Sequence, residues 1–353
     1  MKIGFDAKRY FNNSTGLGNY ARWLIRELTL HYPDNIYLYY KHTINHKSKG
    51  IEIQSPSSPM YYAIWRIWLI IFRLKKQKIN IYHGLTNEIP FGIHKTEIKT
   101  VVTIHDLIQK RFPENYAWYD LIIYNLKVWY AQKYAHKIVT VSEQTKADLM
   151  HFYHTDKSKI LVIPIGINTK NKSTKSVTSE NYILCVSSFS KRKNLDRLID
   201  AFRLLDNNET RLILVGNKGD VAHKIIKKVS QDNRIELIFN ASKEKLENLY
   251  RAALFCVYPS IYEGFGMPIM EAFSYGKTVA TSNISSMPEV GKNAAHYFNP
   301  NDTKDMSRVI SELLIPENRE LKEKNIPSVM KSLESKNVIK EYIKLYDHLM
   351  TSS

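Results

Sequence analysis

The sequence predicts an α/β protein built as two Rossmann-like, doubly wound domains that face one cleft. Three observations carry that expectation. The chain has 353 residues, enough for about two domains. Apolar runs of strand length alternate with longer stretches of helical period, in two successive series. Several of these runs end on glycine or polar residues, at the strand ends where doubly wound sheets bind ligands.

The first series opens with a strand from Lys2 to Asp6. The loop Ala7 to Asn19 holds Gly16 and Gly18 and leads into a helix that runs to Leu30. Gly16-Leu-Gly-Asn-Tyr-Ala21 has the formal spacing of a dinucleotide fingerprint. The loop is too long for that, and no acid stands near position 40 to hold a ribose. It reads instead as a Gly-rich loop at a helix N-terminus on the cleft side. Tyr61 to Lys78 has helical period, with Trp65, Trp68, Leu69 and Phe72 on one face. Arg66, Arg73, Lys75, Lys76 and Lys78 flank it. The expectation is a core-packed helix with a basic outer face; the alternative is an interfacial helix on anionic lipid. Ile79 to Gly84 and Lys99 to Ile104 read as strands, the first carrying His83 near its end and the second followed by His105-Asp106. Trp118 to Lys137 is an aromatic-rich helical stretch, expected to be shared between core and surface. Strands Lys137 to Ser142 and Ile160 to Gly166 follow. Asn168 to Glu180 is polar without apolar period and reads as a linker.

The second series opens with a strand from Tyr182 to Ser187. Lys191-Arg192-Lys193-Asn194 then leads into a helix from Leu195 to Leu205. Paired cations at a helix start suit a diphosphate, Arg192 as a fork and Lys193 as a point charge. Arg211 to Gly216 and Arg234 to Phe239 are strands. So is the apolar run Ala252 to Tyr258, which Pro259 ends. Gly264 and Gly266 permit a tight turn in which backbone can approach a ligand. Pro268 fits the first position of a helix, and Gly276 the residue past its end. Glu263 then lies on the loop and Glu271 in the first turn or so of that helix. A helix start suits phosphate, and two carboxylates there can accept from sugar hydroxyls. The last helix is Val338 to Met350.

Composition narrows the class. Apolar residues make up 44% and charged residues 24%, as in globular chains. Net charge is +17, from 51 Lys and Arg against 34 Asp and Glu. That attracts nucleotides, nucleic acid or an acidic membrane face. No zinc-finger, RNA-recognition or basic-zipper pattern is present, so nucleic acid is not expected as a partner. Cys185 and Cys256 lie inside apolar runs and read as buried thiols. The start is not a signal peptide, and Ala63 to Leu74 is broken by Arg66 and Arg73 and too short to cross a bilayer. A cytoplasmic protein, soluble or peripheral at the inner membrane face, is expected.

Glu263, seven residues, then Glu271, with Gly264-Phe265-Gly266-Met267-Pro268 between them, resembles the signature of the retaining GT-B glycosyltransferases of family 4. Arg192-Lys193-Asn194 and His105-Asp106 match two further segments of that family, and Gly16 and Gly18 its first glycine loop. The resemblance implies two domains, at 1–170 on the acceptor side and 181–335 binding the nucleotide-sugar. It implies a linker at 171–180 and a terminal helix, 336–353, crossing back to the first domain. It implies catalytic roles for His105, Arg192, Lys193 and Glu263. Donor binding would fall to Gly16, Gly18, Gly264, Phe265, Gly266, Met267 and Glu271, with Glu263 positioning the sugar and Glu271 holding the ribose. Neither a cofactor nor a metal is expected. The expected activity is hexose transfer from a nucleotide-diphospho-sugar, GDP-mannose favoured, to a surface glycan such as O-antigen, capsule or lipopolysaccharide. The acceptor would be a glycan or lipid-linked glycan. Alternatives are a UDP-sugar-dependent transferase of the same family, or a GT-B epimerase or phosphorylase.

Overall fold

A computed structural model describes residues 1–13, 16–33, 35–39, 51–54, 62–167 and 179–351. Most of the expected linker lies outside the described residues. The chain divides into two units: Met1–Gly166 together with Ser335–Ser353, and Ile167–Glu334.

The first unit holds strands β1 (Ile3–Asp6), β2 (Ile36–Tyr39), β3 (Ile51–Gln54), β4 (Ile81–Gly84), β5 (Lys99–Ile104), β6 (Lys137–Thr140) and β7 (Ile160–Val162). Their order is β3-β2-β1-β4-β5-β6-β7, every pair parallel. The second unit holds β8 (Tyr182–Val186), β9 (Arg211–Gly216), β10 (Ile235–Phe239), β11 (Phe255–Tyr258), β12 (Val279–Ser282) and β13 (Ala295–Phe298). Their order is β10-β9-β8-β11-β12-β13, again parallel. This is the expected α/β class with two doubly wound sheets. Parallel sheets are covered on both faces, which is why the central strands read as unbroken apolar runs rather than alternating ones. In both sheets the strand order reverses once, between β1 and β4 and between β8 and β11. At such a switch point the adjoining loops part and leave a crevice at the carboxyl ends of the strands.

The terminal helix Ser335–Thr351 packs within the first unit through buried polar groups as well as apolar ones. Tyr342 Oη lies 2.9 Å from Tyr20 Oη, which lies 2.8 Å from Thr103 Oγ1. His83 uses both ring nitrogens, with Tyr346 Oη at 2.6 Å and Thr103 Oγ1 at 2.8 Å. Trp23 Nε1 donates to Ser335 Oγ at 2.7 Å. His83 is therefore a structural histidine, fully enclosed and saturated with partners.

Several local expectations shift. The loop Ala7 to Asn19 contains a short helix, Lys8–Asn12, and the next helix starts at Gly16. Gly18 thus sits in a helical first turn, where a Cβ would meet the Asn13 carbonyl oxygen at 1.8 Å. Its amide donates to Asn13 Oδ1 at 3.0 Å, so close backbone approach accounts for that glycine. The helix expected from Tyr61 to Lys78 is observed as Tyr62–Ile64, a π-helical turn Trp65–Leu69 and Ile70–Lys76. Its buried face is Trp65, Ile70 and Leu74, while Trp68, Leu69 and Phe72 are exposed. The face expected to pack on the core is for the most part turned outward. The aromatic helix Trp118–Tyr134 likewise buries only Val128, Tyr130 and Ala131.

Burial pushes the His83 imidazole down to about 3 from 6.5, with His105 adding to the shift. The unfolded chain then binds a proton that the folded chain refuses between those two values. This contribution is fully present above about pH 6.5 and is lost as pH falls towards 3. Urea midpoints should fall steeply below about pH 6.5, and His83→Gln should flatten that slope. A His83→Gln curve parallel to wild type would show that His83 does not carry it.

Candidate functional site

The second unit gathers charge at its switch point. Strand β11 ends at Tyr258 because Pro259 offers no amide to continue the ladder. The following loop is fixed by two serines. Ser285 Oγ accepts from the Glu263 amide at 3.1 Å and donates to the Glu263 carbonyl at 3.0 Å. Ser286 Oγ donates to the Phe265 carbonyl at 2.7 Å. Gly266, at φ +113°, caps the helix Met267–Phe273, a conformation that suits glycine. Pro268 is the second helical residue, not the first.

Across the switch point, β8 ends at Val186 and the chain makes a 3₁₀ turn, Lys191–Lys193. Asn194 is left-handed at φ 57° and separates that turn from the helix Leu195–Arg203. The two cations therefore precede the helix instead of opening it. The Asn194 side-chain amide donates to the Pro259 carbonyl at 3.3 Å and the Ile261 backbone amide to the Arg192 carbonyl at 3.0 Å, which ties the two loops together.

Glu263 lies at the centre. Its Oε1 accepts from Lys193 Nζ at 2.6 Å, from Arg192 Nη1 and from Ser260 Oγ. Lys193 Nζ also donates to Tyr258 Oη at 2.7 Å and stands 5.0 Å from that ring's centroid. Arg192 Nη1 also donates to the Tyr262 carbonyl at 2.7 Å. Burial pushes the Glu263 carboxyl up, but Lys193 and then Arg192 outweigh it and hold it down at about 2. Burial also draws the Lys193 ammonium down, against the pull of Glu263. With two cations on one carboxylate, the carboxylate is the group that stays ionised. Buried Lys193 and half-buried Arg192 both meet this one carboxylate, and two cations set side by side suit an anion. Glu271 stands apart from this cluster; its Oε2 accepts from Tyr250 Oη at 3.0 Å, and Tyr250 is stacked on Tyr275 with centroids 5.2 Å apart.

His105 belongs to the first unit, just past β5. Its Nε2 lies 2.9 Å from the Leu85 carbonyl, which can only accept, so the proton is on Nε2 and Nδ1 is an acceptor. Burial pushes it down to about 4, with the Leu85 bond opposing. Asp106 Oδ1 accepts from the Ile108 amide at 3.2 Å and shapes the turn. His105 lines a cavity of about 330 Å³ within this unit. Arg66 pairs there with Asp6 at 2.5 Å and with Glu88, and Lys127 reaches Glu88 at 2.7 Å. Asn87 and Gln109 are among the residues around the same cavity. Their Oδ1 and Oε1 atoms are buried without a hydrogen-bond partner. Gly16 has open space where a side chain would stand.

The structure thus brings Arg192, Lys193 and Glu263 together and puts Gly264, Phe265, Gly266 and Met267 beside them in sequence. Sequence reasoning passed over Ser260, Tyr258 and Tyr250, which hold the two acids. It also passed over Asn87, Gln109 and Glu88. A serine three residues before Glu263 was the one local signal available. Asn240, just past β10, is left-handed at φ 53°, a conformation that asparagine tolerates.

Residues 166–330 match the family described as glycosyl transferases group 1, and residues 19–171 match glycosyltransferase family 4. The O-antigen chain mannosyltransferase B of Escherichia coli is 27% identical over 351 residues, covering 89% of this chain and 91% of the relative. A sucrose-phosphate synthase from Thermosynechococcus elongatus superposes with a TM-score of 0.80 at 18% identity, over 100% of both chains. HepE of Anabaena, solved with UDP and glucose, superposes with a TM-score of 0.74 at 15% identity, over 99% of this chain and 100% of that one.

The buried cluster makes a stability prediction. Lys193→Met leaves Glu263 short of one cation and should cost about 3–5 kcal/mol in urea unfolding. Adding Glu263→Gln removes the stranded charge, so the double variant should cost clearly less than the sum of the singles. Additive costs would mean that the two groups do not act as a pair.

Proposed function

Because the chain belongs to the group 1, family 4 glycosyltransferases, with the GT-B fold, we propose that it moves a mannose from GDP-mannose to a growing surface glycan. The observation that carries this reading is the buried Arg192–Lys193–Glu263 cluster at the β8/β11 switch point. The donor choice is supported by the Escherichia coli relative, which is an O-antigen chain mannosyltransferase. A UDP-sugar is the second reading, favoured by the fold likeness to HepE, which was solved with UDP.

On this reading the diphosphate lies against Arg192 and Lys193. The bond from the anomeric carbon to the phosphate oxygen breaks, and the leaving diphosphate gains charge. Preorganised cations stabilise that charge most as it develops. Arg192 has five donors in a fixed fork, so it can hold Glu263 and still reach a phosphate. Glu263, ionised at any working pH, positions the transferred sugar through its hydroxyls. Glu271, oriented by Tyr250, accepts from the ribose hydroxyls. Gly264 to Met267 let the backbone approach the donor, and Gly16, at the start of its helix in the first unit, leaves room for a ligand. The acceptor glycan, free or lipid-linked, enters the polar cavity lined by His105, Asn87 and Gln109. The acceptor hydroxyl oxygen bonds to the anomeric carbon on the face the diphosphate leaves and passes its proton to the departing diphosphate oxygen, so the configuration is retained. With two cations meeting the diphosphate, no metal is required.

Labelled GDP-mannose and UDP-glucose, each incubated with and without a mannose-ended glycan, test the reading. Transfer from GDP-mannose with an α product is expected. Conversion of a donor without acceptor would indicate an epimerase, and transfer from UDP-glucose alone would replace the donor. Arg192→Ala should lower kcat by roughly 10²–10³-fold. Glu271→Ala should instead raise the donor KM roughly tenfold while moving kcat little, because ribose contacts serve ground and transition state alike. Activity should persist in EDTA; its loss, with recovery on adding manganese or magnesium, would sink the metal-independent mechanism.

A further inference from the structure

The cavity of the first unit carries more cation than its own acids engage. Strand β1 ends at Asp6, whose Oδ1 accepts from the Lys8 amide at 2.9 Å and turns the chain into the short helix Lys8–Asn12. Lys8 and Arg9 therefore stand at the carboxyl end of β1, where the strand order reverses and ligands bind. Both line the cavity of about 330 Å³ that His105 lines. Four cations there, with Arg66 and Lys127, face the three acids Asp6, Glu88 and Asp106. Asp6 and Glu88 are both taken by Arg66, and Lys127 reaches Glu88 at 2.7 Å. Asp106 Oδ1 accepts from the Ile108 amide. Lys8 and Arg9 have no ion-pair or hydrogen-bond partner for their side chains among the described residues. Glu114 and Asp120, exposed on either side of Tyr116, are not among the lining residues.

Groups on the wall respond to that excess. Burial and then Arg66 draw the Lys8 ammonium down, Arg9 adds to this, and Glu88 and Asp6 do not make it up. The His105 imidazole is drawn down chiefly by burial, and Arg9 adds to that too. An anion beside Lys8 and Arg9 relieves both repulsions. Arg9 offers a planar fork and Lys8 a point charge, a pair suited to phosphate. A carboxylate brings a single charge. A phosphate monoester brings about −1.5 to −2 at neutral pH, which answers both cations. The volume is at the small end for ligand pockets, about 300–1,000 Å³, and suits one sugar residue rather than a chain.

We propose that the first unit's cavity takes a sugar residue that carries a phosphoryl group, with Arg9 and Lys8 holding the phosphate. This names the chemistry of the acceptor and rests on the reading of that cavity as the acceptor's. Full-length protein is titrated by calorimetry with methyl α-mannoside, methyl α-mannoside 6-phosphate, mannose 1-phosphate and inorganic phosphate. Each titration contains excess GDP and UDP, so that the cations of the second unit are already engaged. At least one sugar phosphate should bind roughly tenfold or more tightly than methyl α-mannoside. The 6-phosphate would mark a phosphate borne on the glycan, the 1-phosphate one that joins its sugar to a carrier. Inorganic phosphate should bind more weakly than the better sugar phosphate. Lys8→Gln with Arg9→Gln should erase the advantage and leave the affinity for methyl α-mannoside unchanged. Arg9→Lys, which keeps the charge but not the fork, should retain part of it. Both variants change side chains outside the core and should keep the wild-type thermal midpoint. Equal affinity for neutral and phosphorylated sugars overturns the proposal. So does an advantage that survives the double variant, or inorganic phosphate binding as tightly as the sugar phosphates. If methyl α-mannoside binds and accepts a sugar while phosphate adds nothing, the acceptor cavity stands and only its phosphate site falls. Binding of none of the sugars removes both.

Discussion

The second unit depends on one buried carboxylate. Glu263 stands in a loop that has no regular ladder to hold it, beyond a proline-terminated strand. It is kept there because Lys193, Arg192 and Ser260 all donate to its Oε1. Those donors come from the loops after β8 and β11, the two strands that part at the switch point. The carboxylate therefore staples the crevice that the sheet order opens. Neither cation could be buried alone, since an unpaired buried charge costs several kcal/mol. The arrangement is self-consistent only as a group, and what it leaves over is positive.

The first unit solves the same topological problem with neutral groups in its core and charged ones in its cavity. His83, Thr103, Tyr20, Tyr342 and Tyr346 satisfy one another around β4 and β5. Two of those tyrosines come from the terminal helix, so the sheet's polar interior is completed by a segment far away in sequence. Just outside that core, Arg66, Asp6, Glu88 and Lys127 pair in a chain that leaves the cavity wall polar. A wall of paired charges fits hydroxyl-rich ligands better than apolar ones.

Much of this was legible in the sequence, for physical reasons that can be named. Buried parallel strands announce themselves as apolar runs, so both sheets could be read in outline. Strands such as β3 and β13 escaped because polar residues, Glu52 and Gln54 in one and His296 in the other, break their apolar runs. Gly266 and Pro268 marked a turn and a helix start through backbone constraints that are local. The pairing of Glu263 with Lys193 spans 70 positions and has no local signature. The most instructive divergence is the helical segment around Trp65. Period fixes which residues share a face but not which of two apolar faces points inward. Trp65, Ile70 and Leu74 compete there with Trp68, Leu69 and Phe72, and a π-helical turn shifts the phase between them. Only tertiary packing decides that contest.

On the proposed chemistry, the cluster that holds Glu263 also links donor binding to sugar positioning. Lys193 and Arg192 both direct hydrogen bonds to Glu263 Oε1. A diphosphate carries more charge than one carboxylate and competes for the same donors. Each hydrogen bond that turns to phosphate returns a lone pair to Glu263. The carboxylate stays ionised, because the cations remain beside it, yet it becomes a better acceptor for a sugar hydroxyl. The diphosphate and the sugar of one donor thus favour each other's binding through a shared pair of cations. A free nucleoside diphosphate would release the same lone pairs with no hydroxyl to use them. Binding energy from the sugar is then realised only with an intact donor, which is the condition for spending it on transfer rather than on holding the product.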